Sequence, residues 1–290
     1  MKTITLNFIK SVSSVFKIIL LSKFTNILKV KNHSNKNCII LGNGPSLSNS
    51  LIKYKIDLIN YDLICVNNFV ISDFFTEIKP TFYILAAPIF FKPEKELSIF
   101  YIELRDSIFD NLKEKTNWEI NLMVPFIAQK SDFFKKFLNE NSLFKPIYFN
   151  PTPIEGLQFV NNLLFKLGLG MPRPHNVIIP AIMNCIYLQY KNIYILGADH
   201  SWLPEISVNQ MNEALVSQKH FYDENDPKPL KMEDYISRPR RLHEIIHKFY
   251  LTFKGYWEIK SYAQYNRINI YNSSEHSMID AFEKREIDKI

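Results

Sequence analysis

A short glycine-containing turn after an apolar run is the part of the chain best suited to chemistry. Cys38–Leu41 are four apolar residues in a row, which predicts a short strand buried on both faces, as in parallel sheets. Glycine lets a ligand approach the backbone closely, and proline and serine suit the first turn of the helix that follows. A strand, a glycine turn and a helix N-terminus together can hold a phosphate. A nucleotide site is therefore predicted at Gly42, Asn43, Gly44, Pro45 and Ser46, the alternative being an ordinary tight turn.

Polar residues also follow two further predicted strands. Asn67 and Asn68 come directly after an apolar strand, and their amides could pair with a base or a ribose, although asparagine is also a common turn residue. Gly197 and Asp199 follow another such strand. Because ligands bind outside the carboxyl ends of parallel strands, we expect these groups to converge on one site.

Histidines supply the candidates for a general base. His220 lies with Tyr222 in residues 203–237, a long stretch without clear periodicity, which is typical of an active-site lid. Histidine exchanges a proton near neutral pH, and the aromatic neighbours of His220 could shield it from water, so it is the predicted base. His200 is the second candidate; it could contact a phosphate or simply orient the turn that contains Asp199.

The loop before an apolar helix offers a second place for an anion. Arg173 and His175 precede Asn176, which is a good N-cap for a helix over 177–189. A loop that brings basic residues to a helix N-terminus can bind an anion. A capped loop without a ligand is the alternative.

The order of apolar runs predicts an α/β protein with one main domain over residues 37–290. Strands are predicted at 38–41, 62–66, 80–87, 119–124, 147–149, 192–196 and 267–271. Helices are predicted at 47–53, 95–113, 126–146, 177–189, 242–263 and 278–284, with a loop and a short helix over 151–175. Strands alternating with helices indicate a mainly parallel, Rossmann-like sheet.

The amino-acid composition indicates which classes of binding partner to expect. The 290 residues are 47% hydrophobic and 22% charged, an ordinary globular balance, and the formal net charge is +6. That surplus suggests an anionic partner, but no dense basic block predicts nucleic-acid binding. The three cysteines, Cys38, Cys65 and Cys185, all fall in apolar runs, which predicts reduced core thiols of a cytosolic protein and no zinc site.

Residues 1–36 differ from the rest of the chain. Apolar residues recur at helical spacing over Phe8–Val30, with Lys10, Lys17 and Lys23 among them. These lysines leave no run near the ~20 apolar residues that span a bilayer, and they argue against a signal peptide. Two interpretations stay open: an amphipathic helix on an anionic membrane surface, or a helix packed on the core of the protein.

Five segments together resemble a known enzyme family. The resemblance is to the small bacterial CMP-sialic-acid transferases of glycosyltransferase family 42, and it runs in the same order over residues 37–285. The segments are Gly42–Leu47, Cys65–Phe69, Ala87–Phe91, Asn192–Asp199 and Asn272–Phe282. The first motif is also similar to that of the 6-hydroxymethylpterin diphosphokinase superfamily.

The resemblance implies a single modified Rossmann domain of the GT-A type with a lid. It implies metal-independent transfer, with inversion, of a nine-carbon acid sugar from a CMP donor to a glycan hydroxyl, without a separate cofactor. The sequence has no Asp-x-Asp motif, in keeping with this. By the resemblance, Asn43 and Asn67 contact the nucleotide, and three serines lie near its base: Ser273, Ser274 and Ser277.

The same resemblance bears on the base. The catalytic histidine of the family falls near Asp234 in this chain, and His220 is the nearest histidine in the same segment. The leading hypothesis is thus a glycosyltransferase at the cytoplasmic face of the membrane, acting on a surface-glycan precursor. The alternatives are a pterin-type diphosphokinase, which would need Mg²⁺ and carboxylates to hold it, and a non-catalytic nucleotide- or glycan-binding protein. Homo-oligomerisation is left open.

Overall fold

The computed structural model of the chain describes residues 2–30, 35–55, 57–223, 225, 228–233 and 238–287, without the side chains of Lys2 and Thr3. Part of the predicted linker, parts of the predicted lid, and Asp234 lie outside the described residues.

Helices and strands alternate along the described residues. The helices are α1 Lys2–Leu21, α2 Leu47–Tyr54, α3 Phe74–Ile78, α4 Ile99–Lys115, α5 Asp132–Glu140, α6 Gln158–Lys166, α7 Ile178–Tyr187 and α8 Leu242–Tyr265. The strands are β1 Asn37–Leu41, β2 Asp62–Val66, β3 Phe82–Ile84, β4 Ile120–Pro125, β5 Phe144–Phe149, β6 Asn192–Leu196, β7 Ile206–Val208, β8 Ala214–Val216, β9 Leu230–Lys231, β10 Asn269–Asn272 and β11 Glu283–Lys284.

A parallel sheet forms the centre of the molecule. In the part of the chain that the structure describes, its eight strands follow the order β11-β10-β6-β1-β2-β3-β4-β5, and every pair is parallel. Cys38 of β1 is in register with Ile193 of β6 on one side and Asp62 of β2 on the other. The predicted α/β, Rossmann-like class is confirmed.

Apolar residues cover both faces of this sheet. Cys38 and Ile40 of β1 belong to the cluster that includes Ile182 of α7, while Ile39 and Leu41 belong to the cluster on the α2 side. Helices on both faces explain why β1 is apolar at successive positions and does not alternate. The three cysteines are buried and unpaired, as expected for core thiols.

One predicted helix is too long and another is absent. The segment 126–146 contains a short 3₁₀ helix, Phe126–Lys130, and the nine-residue α5, which Ser131 caps by accepting from the amide of Phe134. Its last three residues belong to β5. The predicted final helix over 278–284 is a loop that leads into β11. The amide of Met278 donates to the carbonyl of Asp199 at 2.9 Å, which holds the loop to the sheet in place of a helical turn.

The predicted lid has more regular structure than its sequence suggested. β7, β8 and β9 form a small antiparallel sheet. Ala214 and Val216 of β8 pack against Ile245 and Phe249 of α8. The lid segment therefore rests on α8 and brings residues 218–220 to the sheet.

α1 contacts the rest of the protein through small polar residues. The hydroxyl of Ser14 donates to the carbonyl of Glu155 at 2.8 Å and accepts from its amide at 2.9 Å. Ser11 accepts from the amide of Leu157 at 2.8 Å, and Gly156 lies between, with a φ of +133° and no room for a Cβ atom beside Ser11. The buried side of α1 is thus its hydroxyl-bearing side.

The opposite side of α1 is apolar and faces outwards. More than half of each of these side chains is exposed: Phe8, Ile9, Val12, Phe16, Ile19 and Leu20. The window Ile4–Leu21 has a mean hydropathy of 1.6, so by length and composition alone it could cross a membrane. This corrects the expectation that the segment is too interrupted to do so.

Candidate functional site

A cavity lies where the strand order of the sheet reverses, between the carboxyl ends of β1 and β6. Its volume is about 290 Å³. From β1 the chain proceeds to β2, and from β6 to β10, in opposite directions across the sheet. Such a switch point is the usual ligand crevice of doubly wound folds. Ten of the predicted site residues line this cavity: Gly42, Asn43, Gly44, Pro45, Asn67, Asn176, Gly197, Asp199, His200 and His220.

The two glycines of the first turn form the contact between β1 and β6. The amide of Gly42 donates to the carbonyl of Leu196 at 2.8 Å, and that of Gly44 to the carbonyl of Gly197 at 2.7 Å. A Cβ atom at Gly42 would overlap the carbonyl of Gly197, and one at Gly44 would lie 2.8 Å from the carboxylate of Asp199. Backbone contact within the protein is therefore sufficient to require glycine at both positions.

A carboxylate of the protein itself occupies the N-terminus of α2. Oδ2 of Asp199 accepts from the amide of Ser46 at 2.8 Å, and Oδ1 accepts from its hydroxyl at 2.5 Å. Asp199 is buried. The donors that the glycine turn was predicted to offer to a phosphate are thus engaged internally in this structure.

Two asparagines line the cavity at the ends of β1 and β2. Nδ2 of Asn43 donates to the carbonyl of Val66 at 3.1 Å, which fixes the orientation of this amide. Its Oδ1 atom is buried and has no hydrogen-bond partner among the described residues. Asn67 is left-handed, with φ +45°, and Oδ1 accepts from the amide of Ala86 at 3.4 Å. Asn43 therefore offers the cavity a hydrogen-bond acceptor.

His200 is held as a neutral ring. Oδ1 of Asn176 accepts from the amide of Ile179, so its Nδ2 is directed to Nε2 of His200 at 3.2 Å. The hydroxyl of Tyr256 lies 2.5 Å from the same Nε2 atom, and the ring stacks on Trp202. Nε2 therefore accepts and Nδ1 carries the proton. Burial lowers the pKa of His200 to about 3, so the ring is uncharged at neutral pH.

His220 reaches the cavity from the lid with a carboxylate beside it. Oδ2 of Asp223 accepts from the backbone amide of His220 at 2.7 Å and lies 3.3 Å from its Nδ1 atom. The ring stacks on Tyr222 with parallel planes. The amide of Phe221 donates to the carbonyl of Asn43 at 3.1 Å, which ties the lid to the glycine turn. A carboxylate at Nδ1 leaves Nε2 as the nitrogen that can accept a proton.

Basic residues form another wall of the cavity; the sequence singled out one of the two that line it, His175, but not Lys248. His175 and Lys248 line the cavity, and Nε2 of His175 is buried without a partner among the described residues. Lys248 belongs to the first turns of α8, where basic residues cluster: Arg240, Arg241, His243, His247 and Lys248. The helix dipole disfavours positive charge at this end. That conflict is the signal in the sequence that points to an anion near the start of α8.

The remaining predicted residues lie outside this cavity. Ser274 donates to the carbonyl of Ile195 and accepts from the amide of Ala198, and Ser277 donates to the carbonyl of Ala198 at 2.6 Å. These serines hold the turn after β6. Four other predicted residues also lie outside this cavity. Ser46 precedes α2, Asn68 is hydrogen-bonded to Tyr222 of the lid, and Ser273 lines a second cavity of about 540 Å³ together with Ser274.

Metal ligands are not concentrated in the part of the chain that the structure describes. No group of three or more histidine, cysteine, aspartate or glutamate side chains in those residues could hold a metal ion.

Comparison with known proteins finds a likeness to solved structures but not to a known family. No family model matches the chain, and no curated protein matches it. A structure of the MAf glycosyltransferase from Magnetospirillum magneticum AMB-1 is similar over 95% of this chain, with 11% sequence identity and a TM-score of 0.48. This chain spans 37% of the length of that protein.

Proposed function

We propose that this protein is a glycosyltransferase that moves a sialic-acid-like sugar from a CMP donor to a hydroxyl of a glycan acceptor. The observation that carries the proposal is that His220, which lines the switch-point cavity, has the carboxylate of Asp223 beside its Nδ1 atom. A carboxylate that binds one ring nitrogen of a histidine orients the other nitrogen to accept a proton. Enzymes use this arrangement to activate a hydroxyl.

The proposed step is a displacement with inversion. Nε2 of His220 accepts the proton of the acceptor hydroxyl while the acceptor oxygen bonds to the anomeric carbon. The bond between that carbon and the phosphate oxygen breaks on the opposite face, and CMP leaves with the electron pair. Asp223 orients the ring and stabilises the imidazolium that forms.

Asn43 and Asn67 are proposed to hold the nucleotide. The buried Oδ1 atom of Asn43 can accept from an amino group or a ribose hydroxyl. Ser274 and Ser277 support this site indirectly, because their hydroxyls hold the turn that carries Gly197 and Asp199. His200, neutral and bound through Nε2, is proposed as a positioning residue and not as the base.

The outward apolar side of α1 supports attachment to a membrane. We propose that α1 lies in the plane of an anionic membrane at the cytoplasmic face, because its serines are engaged with Glu155 and Leu157 while its apolar side is exposed. α6 adds exposed Phe159 and Leu163. The acceptor would then be a surface-glycan precursor at that membrane.

A ligand screen followed by kinetics tests the proposed function. CMP and CDP should raise the melting temperature without Mg²⁺, and ATP and GTP should not. His220→Ala should then lower kcat for CMP release from a CMP-activated nine-carbon acid sugar by about 10²–10⁴-fold, with CMP affinity little changed. His276→Ala is the matched control, because this histidine lies outside the cavity and its side chain is 80% exposed.

Two results would count against the proposal. Stabilisation only by ATP with Mg²⁺ would favour a diphosphokinase. Near-normal turnover in His220→Ala, beside an inactive His200→Asn enzyme, would transfer the role of base to His200.

A further inference from the structure

Four basic side chains gather where the loop before α7 meets the start of α8. His175 and Lys248 line the cavity, and Arg173 and Arg240 lie close enough to act on them electrostatically. Burial, together with the charges of Lys248 and Arg173, lowers the pKa of His175 to about 4. Burial and the nearby Arg240 likewise lower the pKa of Lys248. Both His175 and Lys248 are therefore harder to charge in this protein than they would be in water.

Among the described residues, little negative charge lies close to this wall. Glu155 lies 3.8 Å from Arg173, but it also lies 3.9 Å from Lys254. Among the described residues, neither Arg240 nor Lys248 forms an ion pair with a carboxylate. The Nε atoms of Arg173 and Arg240 and Nε2 of His175 are buried without partners there. Buried polar and charged groups are normally paired, so an anion from outside would satisfy them.

The usual position for a phosphate in this fold is already filled. The amide and the hydroxyl of Ser46, the residue just before α2, both bind the carboxylate of Asp199. A phosphate brought to that helix end would meet a negative charge that is 3% exposed and cannot turn away into solvent. The buried nitrogen atoms without partners belong instead to Arg173, His175 and Arg240, in the loop before α7 and just before α8.

We propose that Lys248 and His175, supported by Arg240 and Arg173, form the phosphate subsite of this cavity. The identity of the ligand as a cytidine nucleotide rests on the proposed function, whereas the placement of the phosphate does not. The leaving phosphate would then be stabilised by side-chain cations of the loop before α7 and of α8.

Calorimetric titration tests this placement with ligands that differ in their acidic groups. Wild-type protein should bind CMP more tightly than cytidine, and Lys248→Gln should lower CMP affinity about ten-fold while leaving cytidine affinity unchanged. Lys260→Gln is the matched control, since it lies on the same helix about 18 Å further along its axis. Arg240→Gln should follow Lys248→Gln and serves if that variant does not fold. Inorganic phosphate is titrated in parallel.

The outcomes separate the subsite from the proposed function. If CMP does not bind but inorganic phosphate binds and depends on Lys248, the subsite stands and the proposed function fails. If both substitutions leave CMP and phosphate binding unchanged, or wild-type protein binds neither ligand, the subsite is overturned. The free nine-carbon acid sugar is titrated in the same way. If Lys248→Gln weakens the binding of this sugar alone, the wall recognises its carboxylate and the phosphate assignment is wrong.

Discussion

At the scale of single residues, the site combines groups with opposite requirements. Asp199 is a buried carboxylate whose charge is matched by the start of α2, whereas His200 is buried as a neutral ring. His220 lies in the lid and is only partly buried, with Asp223 beside it. That residues 42–45, 67, 199, 200 and 220 lie around one cavity could be predicted from the sequence, because they follow apolar strands or lie in the long lid. The internal partners of these residues could not, because Ser46 and Asp199 are 153 residues apart.

Asn43→Ala should weaken CMP binding modestly. Because Nδ2 of Asn43 donates to Val66, its Oδ1 atom is the one that can bind the nucleotide. It can accept only from a neutral donor of the nucleotide, and such a hydrogen bond is worth about 1 kcal/mol. A five-fold or so increase in Kd is expected by calorimetry. Asn111→Ala on α4 is the control, and an unchanged Kd in folded Asn43→Ala would place the nucleotide elsewhere.

His200 should make folding sensitive to acid. Its pKa of about 3 in the folded protein lies below the ordinary value of 6.5, so the unfolded chain takes up a proton that the folded chain does not. The stabilisation is complete above pH 6.5 and is lost as the pH falls toward 3, by about 2 kcal/mol between pH 7 and pH 5.

Urea unfolding of wild type and His200→Asn at both pH values measures this contribution. Asparagine tolerates the φ of +55° at this position. The stability lost on acidification should be smaller in the variant by about 2 kcal/mol, while His175 contributes in the same direction to both proteins. Identical pH dependence would mean that the ring of His200 is not buried as a neutral group.

At the scale of elements, the strands predicted most accurately from the sequence are those that are buried on both faces. β1, β2 and β6 are covered on both faces, and their apolar runs identified them. The helix predicted over 126–146 is too long and the one over 278–284 is absent, because the local pattern cannot show that Phe144–Phe149 pairs with β4, or that Glu283 pairs with Tyr271 of β10. In both cases a distant strand outweighs the helical tendency of the segment.

α1 provides an element-scale prediction. The triple variant Phe8→Ser, Phe16→Ser and Ile19→Ser should lose co-sedimentation with anionic vesicles and keep the wild-type melting temperature, because these side chains contact solvent and not the core. The control is the double variant Ile99→Ser and Phe100→Ser, which changes comparably exposed apolar residues of α4. Vesicle binding equal to wild type in the triple variant would contradict in-plane attachment through α1.

At the scale of the whole molecule, the two halves of the sheet are joined by the pairing of β1 with β6 and, just beyond it, by a close contact between backbone turns. β2 to β5 lie on one side of β1, and β6, β10 and β11 lie on the other. Gly42, Gly44 and Gly197 meet at this contact, which also forms the floor of the candidate site. The stability of the fold and the shape of the site therefore depend on the same backbone atoms.

Gly42→Ala should destabilise the protein as a whole. The added methyl group would overlap the carbonyl of Gly197, and overpacking of this kind costs about 1–3 kcal/mol. Gly255→Ala on α8 is the control, since its new methyl group would meet only the flexible end of Ile179 and alanine favours the helix. Equal urea midpoints for Gly42→Ala and wild type would show that the contact between Gly42 and Gly197 can open without loss of stability.

The same contact sets the order of events during synthesis. β1 to β5 are synthesised before β6. β2 can therefore pair with one edge of β1 early, whereas the other edge of β1 stays unpaired until β6 has left the ribosome. Translation from Phe149 to Leu196 takes on the order of seconds. During that interval the nascent chain presents an apolar, unpaired strand edge, the kind of surface that chaperones cover and that misassembles when it is left open.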